Sequence, residues 1–471
     1  MSLAPPPSTP VESAPAPPAP AVRALVRLAL PAIATSLLQT LVFLADRLLL
    51  GRHSEAALAS MQVQGPLLWS LWGVFTGLLV GTVPLVARAV GAGDARRASA
   101  VTRVALRAAL ALGVAVAAPC FFLVEPIVGA IGPSDPALLA LSATYVRIAL
   151  VGIPSMFVAT TAAMALSAAG DTRTPLVAGL AANAVNVALN VVLIFGFELG
   201  EVRLPPLGVA GAAIGSAVAF TLEAALLVRA LVRTDLPVRV DLGAVVPDPG
   251  VHASAFAALV GVSVPALGER LVVHAGYLAY ASVLNRLGAL VMASNQALVT
   301  LESVCFLGAE GFGIAAAAIV GQSLGRRDPA GASRAGWVGA GLCAVVLTAL
   351  GLAILAAGDA GLRLFVPPGA DGTALVREGA SALGLVALSQ PFMAVSVVLA
   401  HSLRGAGDTR SPFLVAALGG LVVRVSLAAW LGLGLGLGVR AAWWSSLADW
   451  IVRTLLFAAI FARGRWRRAH A

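Results

Sequence analysis

The chain contains no lysine, and it has little charge of any kind. All 31 basic residues are arginine, a compositional bias rather than a functional signal. Only 11% of the 471 residues are charged, against about 25% in soluble domains. Such a chain cannot dress a water-facing surface. With 59% hydrophobic residues and a mean hydropathy of +0.94, it reads as a polytopic membrane protein. Cysteine is equally scarce. Cys120, Cys305 and Cys343 are scattered in apolar surroundings, which excludes a disulfide framework. The five histidines are dispersed, so neither a zinc site nor any other metal is expected. The first apolar run lies too far in, without a cleavage signature, for a signal peptide. A net charge of +9 is compatible with nucleic acid. The arginines, however, sit in short loops between apolar runs, which is the pattern of membrane topology, so no nucleic-acid partner is expected.

What the chain does contain is a duplication. Pro154 opens a segment ending Gly170-Asp171-Thr172-Arg173-Thr174-Pro175. Pro391 opens one ending Gly407-Asp408-Thr409-Arg410-Ser411-Pro412. Both ends shift equally, since 391−154 and 412−175 are each 237. Upstream, Pro31 pairs with Pro265, Ser60 and Gln62 with Ser294 and Gln296, and Gly91 and Asp94 with Gly325 and Asp328. Each of these pairs is 234 apart, so the second copy carries a three-residue insertion.

A spanning helix needs about 20 mostly apolar residues. Twelve spans are predicted: 26–50, 57–88, 104–131, 138–168, 175–198 and 209–232, then 254–284, 288–322, 335–358, 379–403, 412–437 and 441–462. The expected fold is all-α and polytopic, with two parallel six-helix repeats related by an axis along the membrane normal. The expected organisation is a disordered Pro/Ala tail at 1–21, a first half at 22–232, a cytoplasmic linker at 233–252, a second half at 253–462 and a basic tail at 463–471. Nineteen arginines fall on the side of the N-terminal run, the even-numbered loops and the C-terminus. Six fall on the other: Arg52, Arg203, Arg286, Arg363, Arg377 and Arg440. Both termini and both Gly-Asp-Thr-Arg loops are therefore expected in the cytoplasm.

Several short motifs resemble one family. They are Phe43-Leu44-Ala45-Asp46 in the first span, Gly91-Ala92-Gly93-Asp94 after the second, and the two Gly-Asp-Thr-Arg loops. Gly321-Gln322-Ser323-Leu324-Gly325 after the eighth span and Asp449-Trp450 with Arg453 in the twelfth complete the set. Their order and spacing resemble the multidrug and toxic compound extrusion (MATE) transporters over roughly residues 22 to 466, and most closely a bacterial branch named after a DNA-damage-inducible protein. The resemblance implies two six-helix lobes around a central cavity. It also implies export of small organic cations or amphipathic drugs driven by H⁺ or Na⁺, with no other cofactor, from a monomer in the bacterial inner membrane.

A charge in hydrocarbon costs at least about 2.5–3.5 kcal/mol, so each intramembrane ionisable group is a candidate. Thr35, Gln39 and Asp46 share one face of the first span at about 100° per residue. Similar transporters bind the coupling cation with an acid at Asp46; the alternative is that Asp46 pairs with Arg47 or Arg52. Asn183, Asn186 and Asn190 share a face of the fifth span. The resemblance places a second acid at Asn190. Here it is an amide that cannot titrate, so Asp46 would carry the protons of this half alone, or a Na⁺ site would lose one negative ligand, with Asn186 and Asn190 beside it. These asparagines serve equally as helix glue. In the second half, the 234 shift sets Thr35 against Glu269 and Asp46 against Tyr280. Asn295 and Glu302 share a face of the eighth span. Gln39, Asn183, Glu269, Tyr280, Gln296 and Glu302 are the cavity candidates; the acids alternatively pair with Arg270 or Arg424. Arg424, Asp449 and Arg453 read first as a structural charge cluster, because paired charges are far cheaper than lone ones. Arg147 reads as an interface anchor.

The expected function is ion-coupled export by alternating access. A lipid-linked sugar flippase is the near rival, and it needs a cationic cavity. A membrane-embedded enzyme is excluded by the lack of a His-Glu-x-x-His helix, a paired-Asp motif or a Ser-His dyad. A structural scaffold would leave the buried acids unexplained.

Overall fold

The computed structural model describes residues 21–131, 135–199, 202–240, 249–366 and 371–467. Of the predicted tails, residues 1–20 and 468–471 lie outside this description, as do 241–248 of the predicted linker and the side chains of Gln39, Phe43, Leu44 and Gln62. In the first half, α1 spans Ala21–His53. Next come α2 (Glu55–Thr76), a 3-10 turn (Gly77–Leu79) and α3 (Thr82–Gly91), which together cross as one span, Glu55–Gly91. They are followed by α4 (Ala95–Phe122), α5 (Val124–Ile131), α6 (Pro136–Ala168) and α7 (Arg173–Phe195). Two short antiparallel strands, β1 (Phe197–Leu199) and β2 (Val202–Leu204), lead to α8 (Val209–Arg233).

The second half holds α9 (Pro249–Arg286), α10 (Ala289–Gly325), α11 (Pro329–Arg363) and α12 (Thr373–Gly405). Its eleventh span alternates α13 (Arg410–Ala416), π-helical turns Ala417–Val423, α14 (Arg424–Ala429) and further π turns Trp430–Gly434. The last helix is α15 (Val439–Arg463). Eleven of these helical segments are long and apolar enough to cross a membrane. With α1, 33 residues long, they make the expected all-α polytopic fold.

The end of the third span differs from expectation. The third span stops at Phe122 rather than 131, because Pro126 has no N–H to offer the Phe122 carbonyl. Arg147 of α6 bridges to Glu125 at the head of the short α5 and lies over the Phe121 ring. That guanidinium holds the exposed Glu125 carboxyl below its ordinary value. The described part of the linker is docked: Val238 and Val240 are buried, and Ser99 donates to the carbonyls of Pro237 (3.2 Å) and Arg239 (2.6 Å). The basic tail also begins docked. Trp466 is buried, stacks on Phe461 and donates to its carbonyl at 2.8 Å.

The repeat is visible in the loops. Asp94 and Asp328 each cap the following helix, accepting from Arg97 N (2.9 Å) and Gly331 N (2.7 Å). Asp171 and Asp408 accept from Thr174 N and Ser411 N, both at 3.0 Å. Gly170 and Gly407 before them have φ of +96° and +85°, a conformation only glycine adopts freely.

The two halves meet along a seam on the side of these loops. A Cβ on Gly91 would come within 2.0 Å of the Gln322 carbonyl oxygen, and one on Gly325 within 2.1 Å of the Arg88 carbonyl oxygen. Since 88+234 is 322 and 91+234 is 325, the two contacts exchange under the repeat. Deeper in, a Cβ on Gly311 would meet the Ile33 nitrogen at 2.6 Å, and one on Gly77 the Leu267 Cα at 3.3 Å; this is again an exchanged pair. A two-fold axis produces such exchanges. It also threads each half's first helix into the other half's core: Leu25 and Ala29 pack among α10 to α12, and Ala255 and Leu259 among α3, α4 and α8. Arg88 Nη2 donates across the seam to the Ala406 carbonyl (2.5 Å), and Gln322 Nε2 to that of Ala168 (2.8 Å). At the other end of α10, Ala293, Gln296 and Thr300 are exposed on one polar stripe.

Gly91→Leu is expected to wedge the seam. Overpacking costs about 1–3 kcal/mol, so the unfolding midpoint in detergent falls by several degrees. Gly261→Leu, where nothing lies within 4 Å of an added Cβ, leaves the midpoint unchanged.

Candidate functional site

In the first half a polar cluster forms where α1, α6, α7 and α8 converge. Asp46 is only 2% exposed and Asn190 fully buried. Asn190 Nδ2 donates to Asp46 Oδ1 at 2.6 Å and lies 3.2 Å from Asn186 Oδ1. Asn186 Nδ2 donates to Ser216 Oγ at 3.3 Å. The hydroxyl of buried Tyr145 and the Asp46 carboxylate both reach Ser216. The approach depends on Gly215, where a Cβ would stand 2.2 Å from Asn190 Oδ1. Among the described residues no arginine pairs with Asp46, so the expected alternative, Arg47 or Arg52, is not made. Asn183 is half-buried on the same face of α7, and among the described residues it is not bonded into the cluster. Gln39 lies outside the described side chains. Tyr145 and Ser216 were missed by the sequence reading. Both come from helices distant in sequence, and a lone Tyr or Ser in a span carries no signal.

The second half treats its acids differently. Buried Glu269 pairs with Arg404, which donates through Nη2 to Oε1 and through Nε to Oε2 (3.2 Å). This corrects two expectations. The partner of Glu269 is neither Arg270 nor Arg424, and Arg404, counted among the loop arginines, is turned inward from the last turn of α12. Beside it, His401 Nε2 lies 3.4 Å from Glu310 Oε2. Glu302 accepts from Gln390 at 3.4 Å. Tyr280 donates to the Ala442 carbonyl at 3.4 Å with the Arg424 guanidinium over its ring. Asn295 is buried and Gln296 exposed.

The expected charge cluster is assembled. Asp449 is fully buried, with Arg453 Nε at 2.5 Å and Arg424 Nη1 at 3.9 Å. Arg424 also donates to Ser446. The glycine face of the π-helical turns admits this cluster: a Cβ on Gly419 would come within 2.2 Å of Asp449 Oδ1, and one on Gly420 within 2.5 Å of Arg453 Nη2.

The MatE family profile matches the chain twice, over residues 31–192 and 265–430. The matches start 265−31 = 234 residues apart, which is the repeat distance. The chain belongs to the MATE family. A probable multidrug resistance protein NorM of Bradyrhizobium diazoefficiens is 31% identical over 423 residues, 89% of this chain and 88% of that protein. Its namesake in Thermotoga maritima is 25% identical over 447 residues, covering 94% and 93%. A MATE structure in the bent conformation superposes with a TM-score of 0.81 at 21% identity over 95% of both chains. An outward-facing multidrug resistance MATE transporter gives 0.80 at 21%, covering 95% of this chain and 96% of that one. At these identities the structures show the shared fold. This MATE protein is therefore a multi-pass membrane transporter and not an enzyme.

Asp449→Ala strands two arginines in the MATE core. Breaking a buried pair costs about 3–5 kcal/mol, so the detergent unfolding midpoint is expected to fall sharply. Arg147→Ala breaks the exposed pair with Glu125 and the contact over Phe121, and shifts the midpoint little.

Proposed function

We propose that this MATE transporter exports organic cations and other amphipathic drugs by alternating access, coupled to inward proton flow through Asp46. The observation that carries this reading is the company Asp46 keeps. It is a buried carboxylate bonded to neutral groups, while Asp449 and Glu269 each have an arginine. An unpaired charge at such depth is offset only by a mobile cation, and a proton suits a lone carboxylate whose amide neighbours cannot titrate. Asn190 leaves the site with one acid, so Asp46 carries the exchange alone.

The arginine bias supports an orientation with both termini and both Gly-Asp-Thr-Arg loops in the cytoplasm, and the bacterial relatives support the plasma membrane as the site. In this orientation the seam between the halves lies on the cytoplasmic side, and Gln296 and Thr300 are exposed at the opposite end of α10, where an outward cleft would open. In the inward-open state, deprotonated Asp46 admits a cation. In the outward-open state, a proton neutralises Asp46 and the cation leaves. The relatives named as multidrug resistance proteins support this substrate class. A flippase for a lipid pyrophosphate needs free cationic groups. Arg404 and Arg424 are engaged with Glu269, Ser446 and Asp449, which speaks against it.

In proteoliposomes, a pH gradient is expected to drive ethidium movement in the wild type and not in Asp46→Asn, with the unfolding midpoint unchanged. Driving by a Na⁺ gradient alone would reassign the ion, and transport by Asp46→Asn at the wild-type rate would remove Asp46 from the mechanism.

A further inference from the structure

At one membrane surface of the second half, the start of α11 touches the end of α15. The chain does not leave this surface when α15 stops. Gly464 takes a left-handed φ of +68°, and the 3-10 turn Arg465–Arg467 folds back on the helix. Trp466 anchors the turn: it is buried, with its ring 4.5 Å from that of Phe461. Phe461 meets Trp337 of α11 edge-on at 5.6 Å. Gly336 makes room for it, since a Cβ there would come within 2.3 Å of the Phe461 ring. Arg467 Nη2 donates to Ser333 Oγ of α11 at 3.1 Å. An aromatic stack and one hydrogen bond thus hold the turn against the first turns of α11.

The fold-back gathers positive charge. Arg465 and Arg467 flank Trp466 and are exposed, and exposed Arg334 follows Ser333 directly. Among the described residues no carboxylate pairs with any of these three arginines. The nearest acid in the sequence, Asp328, caps α11 by accepting from Gly331 N. Arg404 and Arg453, by contrast, have acids built in beside them. Like charges gathered without an acid repel, and an anion from outside relieves the repulsion. Guanidinium forks match the oxygens of a phosphate.

Deeper along α11 the same face turns apolar. Trp337 lies at i+3 from Arg334 and is 40% exposed. Gly341 and Val345 follow at i+4 steps, and Val345 is 70% exposed. Nothing lies within 4 Å of a Cβ on Gly341, so it leaves a notch between the two side chains. Positive charge, then an aromatic ring, then an apolar track is the order that a phospholipid's phosphate, glycerol and acyl chain require. A free phosphate would use only the first of these.

We propose that Arg334, Arg465 and Arg467 bind the phosphate of an anionic glycerophospholipid, with an acyl chain lying over Trp337, Gly341 and Val345. The lipid bridges α11 to the turn after α15. Bilayers with anionic headgroups supply it. In phosphatidylcholine the headgroup's own cation competes with the arginines for the phosphate. The site takes no part in the Asp46 mechanism and stands apart from the exporter reading.

The test follows the unfolding midpoint of the full-length protein in detergent. Dioleoylphosphatidylglycerol, dioleoylphosphatidylcholine and inorganic phosphate are titrated in separately. Phosphatidylglycerol is expected to raise the midpoint saturably, and the other two are not. Arg334→Gln combined with Arg465→Gln is expected to keep the lipid-free midpoint and to weaken phosphatidylglycerol about 30-fold. Arg96→Gln combined with Arg97→Gln removes two exposed arginines from the first half and is expected to keep the full response. Should the first pair not fold, Gly341→Leu decides, because it fills the notch and is expected to weaken the lipid several-fold. Equal loss in both arginine pairs would show diffuse attraction and overturn the site. An equal rise with phosphate or phosphatidylcholine, or a wild-type response in Arg334→Gln with Arg465→Gln or in Gly341→Leu, overturns it too.

Discussion

A carboxylate inside a bilayer must be offset, and the way each buried acid is offset divides this protein into scaffold and machinery. Asp449 sits between Arg453 and Arg424, and Glu269 is gripped by Arg404. These charges are permanent and their partners cannot leave, so they fix helices. Asp46 meets the Asn190 amide and the Ser216 hydroxyl, neither of which cancels its charge. Two halves descended from one duplication thus spend their acids differently. The second half ties Glu269 and Asp449 to arginine, and the first leaves Asp46 for a mobile cation.

The seam that joins the halves is tight and yet breakable. It is built on glycine faces, at Gly77, Gly91, Gly311 and Gly325, that let the two backbones come close. Side-chain bonds across it, from Arg88 and Gln322 and from Gly81 N to Ser263 Oγ, each contribute roughly 0.5–1.5 kcal/mol, or up to about 3 where the donor is charged. A few kcal/mol is a sum that cation binding in the cleft can offset, which alternating access requires. Each first helix crosses into the opposite half, so a tilt of one half must carry part of the other with it.

Much of this was legible in the sequence. The duplication could be read by subtraction, and the structure repeats the same 234-residue offset in its glycine contacts. Asp46, Asn186 and Asn190 met as expected because helical spacing fixes a face, and Arg424, Asp449 and Arg453 met because i, i+4 charges on one helix invite a third. What stayed hidden depended on neighbours far along the chain. Arg404 lies at a helix end and was counted as a loop charge; only the approach of α9 shows it turned toward Glu269. His401 and Glu310 stand on different helices, and no spacing rule joins them. The end of the third span followed from Pro126, whose missing N–H a hydropathy window does not register.

The most direct measurement is proton release on drug binding. Protein in weakly buffered detergent solution, with a pH-sensitive dye, is titrated with tetraphenylphosphonium. Cation binding is expected to release protons from the wild type, and fewer from Asp46→Asn. Binding with no proton release, or with the same release from Asp46→Asn as from the wild type, would contradict exchange at Asp46.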